Sequence, residues 1–238
     1  MKREKRIDWH GIVEELLDEH LPLMSGKQIQ KITREKTHYY KVDYYCEVTG
    51  ESSQKSASEV KPFDHLKKKN IIEYKSMHEV LNEGMFRQYL ARVLFMENPK
   101  REESYQGEMT LTILTTHTPK AVISCKEYGF KKVHPWKYES QFFKDLDIYI
   151  LVQREIKESQ GESLALLQVL EGEEERQRKI WQNLYNQNLK NIKSLERVMN
   201  QINAEVFMKL ADHYKEIGRK EGKLEGKLEG KLEGKLEG

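Results

Sequence analysis

Cysteine is scarce in this chain. Cys46 and Cys125 are the only two, too few for a disulfide framework or a four-ligand zinc site. Long apolar runs are missing as well. No segment approaches the roughly 18 consecutive apolar residues of a membrane helix. The charged start, residues 1–6, is not followed by the apolar stretch of a signal peptide. Excess charge of one sign is also absent: 41 basic and 39 acidic residues leave a formal net charge of +2, so any attraction to a polyanion has to come from a local patch. The eight histidines are scattered, with no HExxH and no CxxC, and there is no P-loop, GxSxG or dinucleotide fingerprint. These absences predict a reduced, cytoplasmic, soluble protein with no membrane partner, and they leave kinase, hydrolase-elbow and Rossmann chemistry without support.

Charge itself is abundant, at 34% of the 238 residues against 37% hydrophobic, so part of the chain is expected to be solvated helix or tail. Trp9, Ile12, Val13, Leu16 and Leu17 recur at helical spacing and predict a first helix over 8–23, capped by Asp8 and ended near Pro22. Glu14, Glu15, Asp18 and Glu19 form its acidic face, with one of them a candidate extra metal ligand. The polar stretch 25–36 reads equally as a short strand or a loop. Residues 39–48 alternate strictly: Tyr40, Val42, Tyr44, Cys46 and Val48 face one way, and Lys41, Asp43 and Glu47 the other. Aspartate is disfavoured inside strands, so Asp43 in the middle of this one calls for a reason.

A Ser- and Lys-rich connection over 51–69 follows, with Lys67, Lys68 and Lys69 read as solvated or, alternatively, as facing DNA. The next stretch, 70–76, reads as a buried strand. Its period of two puts Glu73 and Lys75 on one side with Ile71, and Ile72 and Tyr74 on the other. An amphipathic helix is predicted over 77–97, with Val80, Leu81, Phe86, Leu90, Val93 and Leu94 as its apolar positions and Arg87, Gln88 and Arg92 as polar ones. Strands are expected at 109–115, 130–136 and 146–153. A short helix is expected at 121–128, with Gly129 as its C-cap.

Glu-x-Lys alone is a weak pattern, and it recurs at Glu155-Ile156-Lys157. The copy at Glu73 differs in context: it lies on an apolar strand, after a strand bearing a lone aspartate and before an amphipathic helix. Two neighbouring strands can bring Asp43 and Glu73 to a shared hard cation, Mg²⁺ or Mn²⁺. Taken together, Tyr40-Lys41-Val42-Asp43, Ile71 to Ser76, Phe86-Arg87-Gln88-Tyr89-Leu90-Ala91-Arg92 and the segment from Leu111 to Pro119 resemble the PD-(D/E)xK nuclease superfamily. The closer resemblance is to its recombination-promoting nuclease and putative transposase branch, over about residues 8 to 155. That resemblance implies an α/β protein with a restriction-endonuclease-like αβββαβ core, a mixed central sheet and C-terminal helices after it. It also implies Mg²⁺-dependent hydrolysis of DNA phosphodiesters in recombination or mobile-element processes. By position, Asp43 and Glu73 would ligate the metal, and Lys75 would position the attacking water and offset phosphate charge. Glu15 would be the auxiliary acid, with Glu14 and Glu19 as rivals, and Gln88 would support the site.

From about residue 156 the character changes. Helices are predicted over 160–176 and 178–217, the second with Trp181, Tyr185, Ile192, Leu195, Met199, Ile202 and Val206 on an a/d-like seam that Asn188 and Lys209 interrupt. The seam packs either on its own domain or against a second copy. Residues 218–238 repeat Gly-Lys-Leu-Glu, with like charges at i,i+4 and a helix-weakening glycine in each unit. The expected organisation is a nuclease-like domain over 1–155, a helical region over 156–217 and a low-complexity tail. The competing function is a nuclease-like fold with vestigial acids that works as a binding or assembly module through its C-terminal helices.

Overall fold

The computed structural model describes residues 9–32, 42–51, 60–76, 78–96, 108–143, 146–156 and 162–168. The chain forms an α/β protein around one mixed seven-stranded sheet in the order β1-β2-β3-β4-β7-β6-β5. Helix α1 (Trp9–Ser25) comes first, followed by β1 (Lys27–Lys31), β2 (Tyr44–Glu51) and β3 (Lys69–Lys75). Helix α2 (Glu83–Met96) then crosses to β4 (Met109–Thr115), and α3 (Lys120–Ile123) and a 3₁₀ turn at Lys126–Tyr128 follow. Strands β5 (Lys131–His134), β6 (Lys137–Phe143) and β7 (Leu146–Val152) lead to a last described helix, α4 (Glu162–Gln168). Strands β3, β4 and β7 run parallel in the middle, and the flanking pairs are antiparallel.

Helices cover both faces of the parallel centre, which is why all seven residues of β4 are buried and its sequence reads as an unbroken Met/Leu/Ile/Thr run. On one face Ile72, Tyr74, Leu114 and Leu151 pack with Ile12, Val13, Leu16 and Leu17 of α1 and with Leu164, Leu166 and Leu167 of α4. On the other, Ile71, Ile113, Ile148 and Ile150 pack with Phe86, Tyr89, Leu90 and Val93 of α2. The packed body therefore runs past the boundary expected at residue 155, because α4 belongs to the α1-side core. The rest of the predicted C-terminal helices and the repeat tail lie outside the described residues.

Several boundaries differ from the sequence expectation, each for a local reason. Helix α1 passes through Pro22 and ends at Gly26, whose φ of 71° only glycine adopts without strain, with its N–H donated to the Pro22 carbonyl at 2.9 Å. The undecided stretch after it contains the edge strand β1. Helix α2 starts six residues later than expected, at Glu83 rather than at 77, because Asn82 caps it: its Oδ1 accepts the Met85 N–H at 2.9 Å. Val80, expected on the helix's apolar face, is exposed ahead of it. Strand β6 was not expected at all. Its buried positions include Lys137 and Ser140, so it carries no apolar alternation.

Candidate functional site

The antiparallel register pairs Tyr44 with Ile72 and Tyr45 with Ile71. One step further along, Asp43 lies level with Glu73, but it sits at a bend just before β2 rather than within the strand. This supplies the reason that an aspartate inside a strand lacked. Its Oδ2 accepts the Tyr74 N–H at 2.9 Å, closing the end of the ladder that β2 leaves open. Its Oδ1 lies 3.0 Å from Nδ1 of His10, at the start of α1.

Glu73 lies on the α2 face of β3 with its side chain 2% exposed, close enough to Asp43 for the two carboxyl groups to interact. Burial, and then the Asp43 charge, push the Glu73 carboxyl up to about 8. The Arg92 guanidinium, with Nη1 3.5 Å from Glu73 Oε1, pulls the other way. The bend before β2 and strand β3 thus bring two acids together, at a place where burial and the neighbouring Asp43 disfavour a negative charge on Glu73.

Lys75 lies two residues on along the same face. Its Nζ is 3.3 Å from Glu79 Oε1 and 5.5 Å from the centre of the Tyr89 ring. Glu79 is anchored by the Ser76 N–H and hydroxyl, which donate to Oε2 at 3.4 and 3.3 Å. Partial burial works against the Glu79 charge, but Lys75 and the Ser76 N–H outweigh it and hold the carboxyl below its ordinary value. The Arg92 guanidinium lies 5.3 Å from the Tyr89 ring, so that ring is contacted by two cations. Burial, followed by the nearby Glu73 and Asp43 charges, pushes the Tyr89 hydroxyl well up.

Asp43 and Glu73 therefore meet near the carboxyl end of β3, while Lys75, on the same face of that strand, is engaged with Glu79 and Tyr89. Gln88 does not join them: it is exposed on α2, and the residues that this helix turns toward the acids are Tyr89 and Arg92, which share a face at i,i+3. Of the first-helix acids, Glu14 and Asp18 hold Lys31 at 2.8 and 2.7 Å, Glu19 lies 3.9 Å from His20, and Glu15 is half-buried. His10, also on α1, contacts Asp43. Lys67 and Lys68 pair with Asp147 and Glu108 near the start of β3, at the far end of that strand from Lys75.

Sequence reasoning missed His10, Glu79, Tyr89 and Arg92. A usable signal existed only for the last pair, an aromatic and a cation three apart on the helix that crosses over β3. Among the described residues, no group of three or more His, Cys, Asp or Glu is placed to enclose a metal ion. Asp43 and Glu73 still offer the carboxylate oxygens that suit a hard divalent cation. Mg²⁺ commonly takes one or two protein carboxylates and completes its shell with water and substrate phosphate. No helix among the described residues is long and apolar enough to cross a membrane. Comparison with family models, with curated proteins and with solved structures returned no match.

Proposed function

We propose that this chain is a Mg²⁺- or Mn²⁺-dependent DNA endonuclease with a restriction-endonuclease-like core, acting in recombination or mobile-element processes. The observation that carries the reading is the meeting of Asp43 and Glu73 at the end of β3, beside Lys75 and Arg92. A divalent ion bound there supplies Lewis-acid polarisation of the phosphate and a more acidic bound water. Asp43 and Glu73 are the residues that would hold it.

The remaining roles fall to the chain's own side chains. Lys75 is buried against Glu79 and Tyr89, which fix the direction of its ammonium group. It orients the attacking water and offsets the charge that grows on the phosphate oxygens. Arg92 restrains the Glu73 carboxylate and adds a second positive charge next to the phosphate position. His10 fixes the rotamer of Asp43 from the opposite helix layer. Pre-set dipoles and charges of this kind stabilise a transition state without reorganising during the reaction.

A second reading, an assembly module with vestigial acids, draws on one observation: both Asp43 oxygens already have protein partners. Plasmid nicking separates the two. With Mg²⁺ or Mn²⁺ the wild-type protein nicks supercoiled DNA, and Asp43→Ala or Glu73→Ala lowers the rate by roughly 10²–10³-fold or more while the circular dichroism spectrum persists. Undiminished nicking by the folded double variant refutes the site. A wild-type protein that never nicks, yet loses stability in Asp43→Ala, favours the assembly module.

A further inference from the structure

The carboxyl ends of β4 and β7 carry side chains that the acid site does not use. The three parallel strands end level, with Lys75 opposite Thr115 and Thr115 opposite Val152. Just past that row the backbone ties the ends together. The Thr116 N–H donates to the Lys75 carbonyl at 3.3 Å, and the Arg154 N–H donates to the Thr116 carbonyl at 3.4 Å. Arg154 and His117 are both half-buried, and Arg154 Nη1 stands 3.3 Å from His117 Nδ1. The loop from Thr115 to Thr118 is held as well: Thr115 Oγ1 donates to the His117 carbonyl at 3.0 Å, and Thr118 Oγ1 donates to Glu155 Oε1.

A guanidinium can only donate, so His117 Nδ1 is the acceptor and the neutral ring carries its proton on Nε2. An imidazole nitrogen is an uncharged acceptor, so this contact orients the guanidinium and leaves its charge in place. Glu155, the acid next in sequence, is turned to Lys132 at 3.1 Å and to the Tyr138 hydroxyl at 2.9 Å. The Arg154–His117 contact is not needed to join the two loops. The backbone bond from Arg154 to Thr116 and the Thr118–Glu155 pair already do that. What the pair adds is a planar fork of donors, steadied by an imidazole that carries one more, at the edge where open α/β sheets collect ligands. A set of donors with a positive charge suits an oxyanion, and a phosphate above all.

From this arrangement we infer that Arg154, oriented by His117, binds a backbone phosphate of duplex DNA a few nucleotides from the one presented to Asp43 and Glu73. That the ligand is DNA rests on the nuclease reading above; the donor pair itself stands on the geometry of the strand ends. Strand β7 lies two strand spacings from β3, about 10 Å, a length that about three phosphates of one strand cover at 3.4 Å of rise each. One DNA backbone therefore reaches both places. Contact with Arg154 sets the register of the duplex over the acids and reads no base sequence. Arg154 is a substrate-binding residue in this account and takes no part in the exchange of bonds.

The test is binding of a fluorescent 30-base-pair duplex to the full chain, followed by anisotropy in EDTA as salt is raised. In Arg154→Ala the affinity falls on the order of tenfold, and the slope of log K against log salt shrinks by about 0.9, the share of one phosphate no longer neutralised. Arg154→Lys keeps the slope, because the charge remains, but recovers only part of the affinity, because an ammonium lacks the planar fork. Lys68→Ala, at the amino end of β3, also removes one charge and leaves affinity and slope unchanged. An Arg154→Ala protein that binds like the wild type overturns the inference, as does a loss of affinity with an unchanged slope. So does a wild type that ignores duplex DNA. If Arg154→Ala does not fold, a folded Arg154→Lys protein with full wild-type affinity overturns it instead. The nicking assay reads the nuclease proposal separately; where the wild type nicks, Arg154→Ala raises KM and leaves kcat within about twofold. A changed salt slope in a protein that never nicks supports the phosphate site while removing the hydrolytic reading.

Discussion

A buried side chain whose charge is poorly compensated makes stability depend on pH, and His65 is such a residue. Its Nε2 stands 2.8 Å from Thr112 Oγ1, its ring packs on Tyr149 at 3.8 Å, and its Nδ1 is 3.8 Å from Asp64 Oδ1, beyond hydrogen-bond length. Burial pushes the imidazole down to about 4. In the unfolded chain the group titrates near 6.5, so between those values the unfolded state binds the extra proton and stability falls as pH falls. We expect an acid-side loss confined to about pH 6.5 to 4, of about 3 kcal/mol at most. Urea midpoints measured across that range should flatten in His65→Gln, and an equally steep wild-type-like curve in that variant would assign the loss elsewhere. At the same scale, Asp43, Glu73 and Lys75 stood out in the sequence because polar groups on apolar strands are conspicuous. Their neighbours did not: His10, Glu79, Tyr89 and Arg92 come from helices and a turn, where polar residues are commonplace, and only the folded layers bring them in. The role expected of Gln88 came from the family resemblance, but the helical rotation between it and Arg92 faces Gln88 to solvent.

Among the elements, α4 shows how a short segment can belong to a larger core. Leu164, Leu166 and Leu167 are all at most 1% exposed and pack in the cluster that α1 builds on the sheet. Gln168 and Gln153 tie the segment down, with Gln168 Nε2 donating to the Ile156 carbonyl at 2.7 Å and Gln153 Nε2 donating to the Leu167 carbonyl at 2.8 Å. Leu167→Ala should cost about 2–5 kcal/mol in denaturant unfolding, the usual range for a fully buried leucine. A loss below about 0.5 kcal/mol would mean that α4 is not part of the folding unit. The central strands β3, β4 and β7 were legible in the sequence because burial on both faces demands continuous apolar or β-branched runs. Strand β6 was not, since its inward positions are filled by Lys137, bound to Asp64, and by Ser140, which donates to the Tyr128 carbonyl. The end of α1 was misplaced for another reason. A proline in the last turn removes one N–H but does not stop a helix, whereas the left-handed glycine after it does.

For the whole molecule, the layers explain why the acids meet where they do. The parallel strands end together on one edge, α1 and α2 cover opposite faces, and each helix reaches that edge with a polar side chain: His10 on Asp43 and Arg92 on Glu73. The mixed sheet was anticipated, but its seven-strand order was not, because pairing among β5, β6 and β7 rests on long-range register and not on any local pattern. The central claim is that Asp43 and Glu73 together hold one divalent cation, and Mn²⁺ titration followed by the EPR signal of the free ion tests it most directly. The wild-type protein should remove one equivalent of Mn²⁺ from solution, and the folded Asp43→Asn/Glu73→Gln variant should remove none. Equal uptake by both proteins, or no uptake by the wild type, would contradict it.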